Sequence, residues 1–405
     1  VPDRTKRIFI SDIHLTYDRS MNAPNPFGGF KKNIPILAQF LDDQLKSPDV
    51  KELVILGDLF DTWIIPTTYL PIKSFDRIIA NKENKPVIDK LIALAASKDI
   101  KLAYVPGNHD MSMSAGDIPG TKNFLETNFP GIRFFSDNDV PLGSFNVGTL
   151  VAEHGNRYCL FNGPDLWTNS NSFLPLGYFI SRIVSYKVLK TGLEQDPREI
   201  FFKFLREFMT KPDFIGNMLN AIASDAGLNP KSKIKLGVPG YPDALSVEEI
   251  GNKYKDLCLN WEKSPGNINV PTAIFSDLGN LSFAASLAYF MQIGSKIDIV
   301  IFGHTHIPAM NNPAKNTPTS GGDISIPGEI PSGYIYANSG TWVDKSQYGC
   351  TFVETEEVPN ERRHYVRIKG DSRDCRGLVQ TQKSAANPRI GLRGQIPGSR
   401  PLGFL

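Results

Sequence analysis

The chain is predicted to fold as a mixed α/β protein, and three observations predict it. Apolar runs of strand length alternate with stretches that are apolar at helical spacing. The strand-like runs close on short polar segments built from Gly, Asp, Asn and His. Finally, 405 residues at 41% hydrophobic content suffice for one large α/β domain with insertions, or for two domains.

Taken in order, Arg7 to Ser11 reads as a strand, followed by a Gly/Pro/Asn-rich loop from Asn22 to Gly29. Ile34, Leu37, Phe40, Leu41 and Leu45 recur at helical spacing and stop near Pro48. Leu53 to Leu56 is a buried-type strand running into Gly57-Asp58, and Val87, Ile88, Leu91, Ile92 and Ala95 mark a second helix. Leu102 to Val105 gives a third strand before Pro106-Gly107. This β-α-β-α-β rhythm puts the polar motifs at the strands' C-terminal edge, where open α/β sheets bind ligands. Ile132 to Phe135 and Phe145 to Ala152 are read as further strands, the latter leading to His154.

A long interruption then runs from about Asn156 to Lys296. Its clearest element is a helix over Pro197 to Ala223, striped by Ile200, Phe201, Phe204, Leu205, Phe208 and Met209. Asn229 to Pro242 and Ser264 to Pro271 read as loops, and Leu281 to Gly294 as helix. Ile297 to Phe302 delivers Gly303-His304, and Tyr334 to Ala337, Cys350 to Val353 and His364 to Ile368 read as closing strands. After Asp371 the chain is poor in large apolar residues and is expected to be an extended tail.

Net charge is +2, from 44 basic and 42 acidic residues, so no global field suggests nucleic acid or an anionic membrane. The run from Phe173 to Leu189 is the nearest to a membrane span, and Pro175, Gly177, Arg182 and Lys187 break it. No transmembrane segment is expected; peripheral membrane contact and oligomeric state are left open. Four scattered cysteines without C-x-x-C favour a reduced cytoplasmic chain, with a disulfide left open. The chain begins at Val1, which leaves open whether a leader was removed.

Five of the six histidines lie in the strand-end motifs: Asp12-Ile13-His14, Gly107-Asn108-His109-Asp110, Glu153-His154-Gly155 and Gly303-His304-Thr305-His306. Gly57-Asp58-Leu59-Phe60-Asp61 lies between the first two. Imidazole and carboxylate are the usual companions around a cation that must bind oxygen substrates. Alternate residues of an extended segment point the same way, so Asp12 with His14, or His304 with His306, can face one metal or a pair. Asp58 can bridge two cations through its two oxygens, and Asn108 supplies a neutral one. Two cations about 3.5–4 Å apart hold a bridging hydroxide and clamp two phosphoryl oxygens, which is what phosphoester hydrolysis requires.

The ordered motifs D-x-H, G-D-x-x-D, G-N-H-D, H-G and G-H-T-H resemble the calcineurin-like metallophosphoesterases, over roughly residues 6–156 and 295–345. The resemblance implies a four-layer α/β/β/α sandwich, here with a largely helical insertion. Residues 1–156 and 296–370 would form the core, 157–295 the insertion capping the site, and 371–405 the tail. It further implies that Asp12, His14, Asp58 and His306 bind one metal, and that Asp58, Asn108, His154 and His304 bind the second. His109 would contact the phosphate and protonate the leaving alkoxide, oriented by Asp61. Two divalent ions are implied, manganese first, with iron, zinc or nickel as alternatives. Ser-Asp-Ile-His-Leu and Gly-Asp-Leu-Phe-Asp-Thr-Trp look like the branch that hydrolyses UDP-diacylglucosamine at its pyrophosphate. That branch carries Arg in place of His109 and a much shorter lid, so the reaction class carries over and the substrate does not.

The expected function is hydrolysis of a small-molecule phosphodiester or pyrophosphate by a metal-bound hydroxide. The alternatives are a phosphomonoesterase of the same fold and a non-catalytic metal-binding scaffold. Asn108 and His109 are the expected phosphate contacts. Arg157, following the His154 loop, reads as a further substrate contact or as a surface arginine. Arg182, Lys187 and Lys190 would face either an anionic substrate or solvent.

Overall fold

The computed structural model describes residues 4–17, 32–72, 74–111, 118–137, 140, 142–168, 172–192, 200, 203–204, 207, 213–238, 240–264, 269–277, 297–310, 334–343, 349–357, 364–370 and 379–383. Two mixed sheets organise them. The larger contains β1 (Lys6–Ile10), β2 (Val50–Leu56), β3 (Lys101–Val105), β4 (Arg133–Phe134), β12 (Thr351–Glu357), β13 (His364–Gly370) and β14 (Val379–Lys383), in the order β14-β13-β12-β1-β2-β3-β4. The smaller contains β5 (Phe145–Val147), β6 (Leu150–Ala152), β9 (Ile299–Phe302), β10 (Ala309–Met310) and β11 (Ile335–Asn338), in the order β10-β11-β9-β6-β5. A small antiparallel ribbon joins β7 (Lys233–Lys235) to β8 (Ala244–Ser246).

Strands β1, β2, β3 and β4 run parallel, as do β6, β9 and β11. Side chains alternate across each strand. Phe9, Val54, Leu56, Ala103 and Val105 therefore pack inward against Phe145, Leu150, Ala152, Ile299, Ile301 and Ala337 of the other sheet. Their neighbours Ile8, Ile10, Leu53, Ile55, Leu102 and Tyr104 face the opposite way. There they meet the helices Ile34–Lys46 and Lys85–Ala95 through Leu37, Leu41, Val87 and Leu91. Burial on both faces is why these strands read in sequence as unbroken apolar runs.

Helix, sheet and sheet are thus stacked in order. On the outer face of the smaller sheet, Val151, Val300, Phe302, Ala309 and Tyr336 form a cluster without any α-helical residue among the described residues. The fourth, helical layer expected there is not among them.

A separate core gathers the helices Leu176–Thr191, Phe214–Asp225, Val247–Tyr254, Leu257–Lys263 and Val270–Asp277. Trp63, from the loop after β2, belongs to it. Arg182 is fully buried there without a carboxylate partner among the described residues. It donates instead to the carbonyls of Ile65 (2.9 Å), Pro66 (3.1 Å), Tyr69 (2.6 Å) and Lys235 (2.6 Å) and to the Tyr178 hydroxyl (3.1 Å). Lys235 N–H also donates to the Thr67 carbonyl at 2.9 Å. The loop after β2 is therefore fastened to this helical core by side chain and backbone.

Several expectations change. Phe145 to Ala152 forms a hairpin turning at Gly148, rather than one strand. Asn229 to Pro242 contains β7, and Val379–Lys383, inside the expected tail, pairs antiparallel with β13. Arg182 faces neither substrate nor solvent, and Lys187 is paired with Asp225 at 2.7 Å. The Asn22 to Gly29 loop, the Leu281 to Gly294 helix and most of the stripe from Phe201 to Met209 lie outside the described residues. Among those described, no helix is long and apolar enough to cross a membrane.

Candidate metal centre

The C-terminal ends of β1, β2, β3, β6 and β9 meet at one edge of the sandwich and bring the sequence motifs together. The loop after β1 lies along the loop after β2: Ile13 N–H and His14 N–H both donate to the Asp58 carbonyl, at 2.9 and 2.8 Å. Asp61 N–H returns the contact to the Leu15 carbonyl at 2.9 Å. Five of the motif residues hold left-handed backbone: Asp12 (φ 52), His14 (φ 53), Asp58 (φ 53), His304 (φ 67) and His306 (φ 60). Such conformations cost residues with a Cβ of order 1–3 kcal/mol each and gather where side chains must converge. Gly57 is needed because a Cβ there would lie 2.6 Å from the His154 Nδ1.

Three groups emerge whose ligand atoms lie within 4.8 Å of one another: Asp12, His14 and His306; His14, Asp58 and His109; Asp58, His154 and His304. Asp58 Oδ2 stands 3.7 Å from His14 Nε2 and 3.3 Å from His154 Nε2, between the outer two groups. Asn108 Oδ1 lies 3.0 Å from His154 Nε2. Asp12, Asp58, Asp61 and His154 are almost completely buried, whereas the side chains of His109 and His306 keep 19% and 16% of their surface. The cluster therefore opens to solvent on the side of those two histidines and of His304, which is also only partly buried.

Neighbouring groups aim the candidate ligands. His154 Nδ1 donates to the Leu56 carbonyl at 2.7 Å, which turns Nε2 inward. His14 Nδ1 lies 3.0 Å from Asp61 Oδ2, which does the same for its Nε2, 3.2 Å from His306 Nε2. Asp12 Oδ2 accepts from the Ser11 hydroxyl and, at 2.9 Å, from His304 N–H. The Ser11 hydroxyl is in turn 2.6 Å from that of Ser339. Asp12 Oδ1 is buried and accepts no hydrogen bond among the described residues, yet lies 3.1 Å from His306 Nε2. One oxygen is satisfied by the protein, and the other is left for a cation.

The electrostatics agree. Burial opposes ionisation of Asp58, but His154 and His109 override it and hold the carboxyl well below its ordinary range. Asp61 is likewise lowered against burial, by His109 and His14, and Asp12 by His306. In return, and again against burial, Asp61 and Asp58 raise His14 to about 9, and Asp58 raises His154 to about 10. Burial, with His154 adding to it, lowers His304 to about 3. Without a cation, protons on His14 and His154 offset three buried carboxylates; a divalent ion neutralises the same charge from inside the cluster. Carboxylate and imidazole donors with one buried oxygen unmet fit such an ion.

A family model for calcineurin-like phosphoesterases matches residues 5–208, half of the chain. The chain belongs to the calcineurin-like phosphoesterase family. It is accordingly a metal-dependent phosphoric ester hydrolase. No curated protein matches it. His304 and His306 lie beyond the matched segment, so their place rests on the geometry above.

Asp12, His14, Asp58, Asp61, Asn108, His109, His154, His304 and His306 thus converge, whereas Arg157 stands apart, as do Arg182 and Lys187. The Arg157 guanidinium lies 2.9 Å from Glu153 and 2.7 Å from Asp137, and burial notwithstanding these carboxylates raise its pKa. Sequence reasoning missed Ser11, for which the signal was a Ser directly before Asp12; its partner Ser339 belongs to the polar turn Asn338-Ser339-Gly340-Thr341, which already in sequence resembles the family's late polar turn near the site. It also missed Asp110, which accepts from Gly107 N–H and Leu59 N–H, both at 2.8 Å, and so ties the loops after β3 and β2 together.

Proposed function

We propose that this phosphoesterase uses two divalent cations to hydrolyse a phosphodiester or pyrophosphate bond in a small-molecule substrate. The carrying observation is the position of Asp58 between two acid-imidazole groups, with His109 at the open side of the cluster. We assign Asp12, His14, Asp58 and His306 to one cation and Asp58, Asn108, His154 and His304 to the other. Manganese is the first choice, with iron, zinc or nickel as alternatives. When bound, the pair would neutralise phosphoryl charge and supply an acidified water.

The protein's own groups do the rest. His109 is held by its backbone N–H on Asp58 Oδ1 at 2.8 Å and by its carbonyl, which accepts from the Thr62 hydroxyl at 2.9 Å. These contacts support a role for its ring in contacting the phosphoryl group and giving a proton to the departing oxygen. Asp61 Oδ2, 3.0 Å from His109 Nδ1, helps to orient the ring. Arg157 anchors the loop carrying His154 through Glu153; it reaches substrate only by exchanging Asp137 for phosphate. We assign residues 1–156 and 296–370 to the catalytic core, 157–295 to the inserted cap and 371–405 to a C-terminal extension.

The cluster chemistry serves a monoester equally well, and the preference for a diester rests on the motif resemblance. Initial rates on bis(p-nitrophenyl) phosphate and p-nitrophenyl phosphate, side by side after manganese loading, test it. Faster turnover of the diester is expected. Faster turnover of the monoester would make the protein a phosphatase with a capped site.

A further inference from the structure

The indole of Trp63 lies on the ring of His109, with centroids 4.4 Å apart and planes inclined by 26°. Trp63 is only 2% exposed, and its ring stands perpendicular to that of Tyr178, with centroids 5.9 Å apart. Its backbone N–H donates to Asp61 Oδ1 at 2.9 Å, leaving Oδ2 to face His109 and His14. The chain just beyond it is held by the Arg182 contacts to Ile65, Pro66 and Tyr69 described above. One residue thus covers a face of the His109 ring, fixes the carboxylate beside it and is itself packed into the helical core.

Resting on the assignment of His109 as the proton donor, we propose that Trp63 is its positioning residue. Through Tyr178 and Arg182, the helix Leu176–Thr191 sets the angle at which that imidazole meets the leaving oxygen. His109 Nδ1 sits 3.0 Å from Asp61 Oδ2 but off the direction of a hydrogen bond, so the carboxylate alone does not fix the ring plane. The indole face does. A flat stacked neighbour permits sliding but not tilting, which is the restraint a proton donor needs if the proton is to travel along one line to the departing oxygen. Only one transfer is involved: the proton leaves the His109 ring as the phosphorus–oxygen bond to the leaving group breaks.

The test uses the manganese-loaded, full chain and a series of aryl methyl phosphodiesters running from the 4-nitrophenyl to the unsubstituted phenyl leaving group. Poor leaving groups need the proton and good ones do not. For Trp63→Leu, kcat on the phenyl ester should fall on the order of tenfold while the 4-nitrophenyl ester stays within about twofold, with KM and bound metal unchanged. Trp63→Phe, which keeps a flat ring, should restore most of the loss. His109→Ala is the reference and should steepen the series further. If Trp63→Leu slows every ester alike, Trp63 is merely structural and the proposal falls. If His109→Ala does not steepen the series, the proton-donor assignment itself fails, and this inference with it.

Discussion

Asp61 Oδ2 lies 3.0 Å from the Nδ1 of His14. The same oxygen lies 3.0 Å from the Nδ1 of His109. One buried carboxylate therefore aims a candidate metal ligand and the candidate proton donor together. A carboxylate behind a ligating imidazole fixes its ring and raises its basicity. Asp61→Asn is expected to weaken binding of the cation at His14 by roughly 10–100-fold, and to lower turnover even at saturating metal. Isothermal titration with manganese, followed by rates at saturation, separates the two losses.

His109→Ala should leave metal binding intact and reduce turnover by about 10²–10⁴-fold. Metal content by mass spectrometry and rates on an unactivated ester check it. Full metal content with near-normal rates would remove His109 as the acid.

Asp58→Asn should abolish paired metal binding and activity together while leaving the fold. Besides its ion pairs with His14 and His154, the carboxylate accepts from His109 N–H, and an amide oxygen can still accept that bond. Unchanged far-ultraviolet circular dichroism with a loss of bound metal is the expected pair of results.

The pH dependence follows from the histidines. In the metal-free chain, His14 is raised to about 9 and His154 to about 10, from 6.5. A group whose pKa rises on folding stabilises fully below its unfolded value and stops doing so as pH climbs through the folded one. Thermal stability of the metal-free protein should therefore fall between about pH 7 and 10. Metal reverses this slope, because binding expels those protons and tightens as pH rises. Melting curves with and without manganese across that range check both signs.

Arg182→Met should destabilise the fold by roughly 3 kcal/mol or more, because it removes several charged hydrogen bonds and strands buried carbonyls. Denaturant midpoints measure the loss. The change is also expected to loosen the loop after β2 and slow turnover.

Much of this was legible in sequence, for identifiable reasons. Strands β1, β2 and β3 are buried on both faces, so Phe9, Val54 and Ala103 sit among equally apolar neighbours, and each run stops at a motif. The candidate ligands were legible because few turns call for His as well as Asp. The helix Leu176–Thr191 was not, because Pro175, Gly177 and Arg182 look like interruptions. In the fold Pro175 stands at the helix's N-terminal boundary, Gly177 packs against the Phe161 carbonyl, and the Arg182 charge is met by carbonyls from two segments, the loop after β2 and β7. The hairpin at Gly148 was read as one strand because its turn takes so few residues. The Leu56 carbonyl behind His154, and the Asp137 carboxylate beside Arg157, depend on long-range packing that no local pattern carries.

The central claim is a pair of cations sharing Asp58. Manganese titrated into the metal-free protein, followed by electron paramagnetic resonance, tests it most directly. We expect saturation at two ions per chain with an exchange-coupled signal that Asp58→Asn abolishes. Saturation at one ion, or two ions with no magnetic coupling, would contradict it.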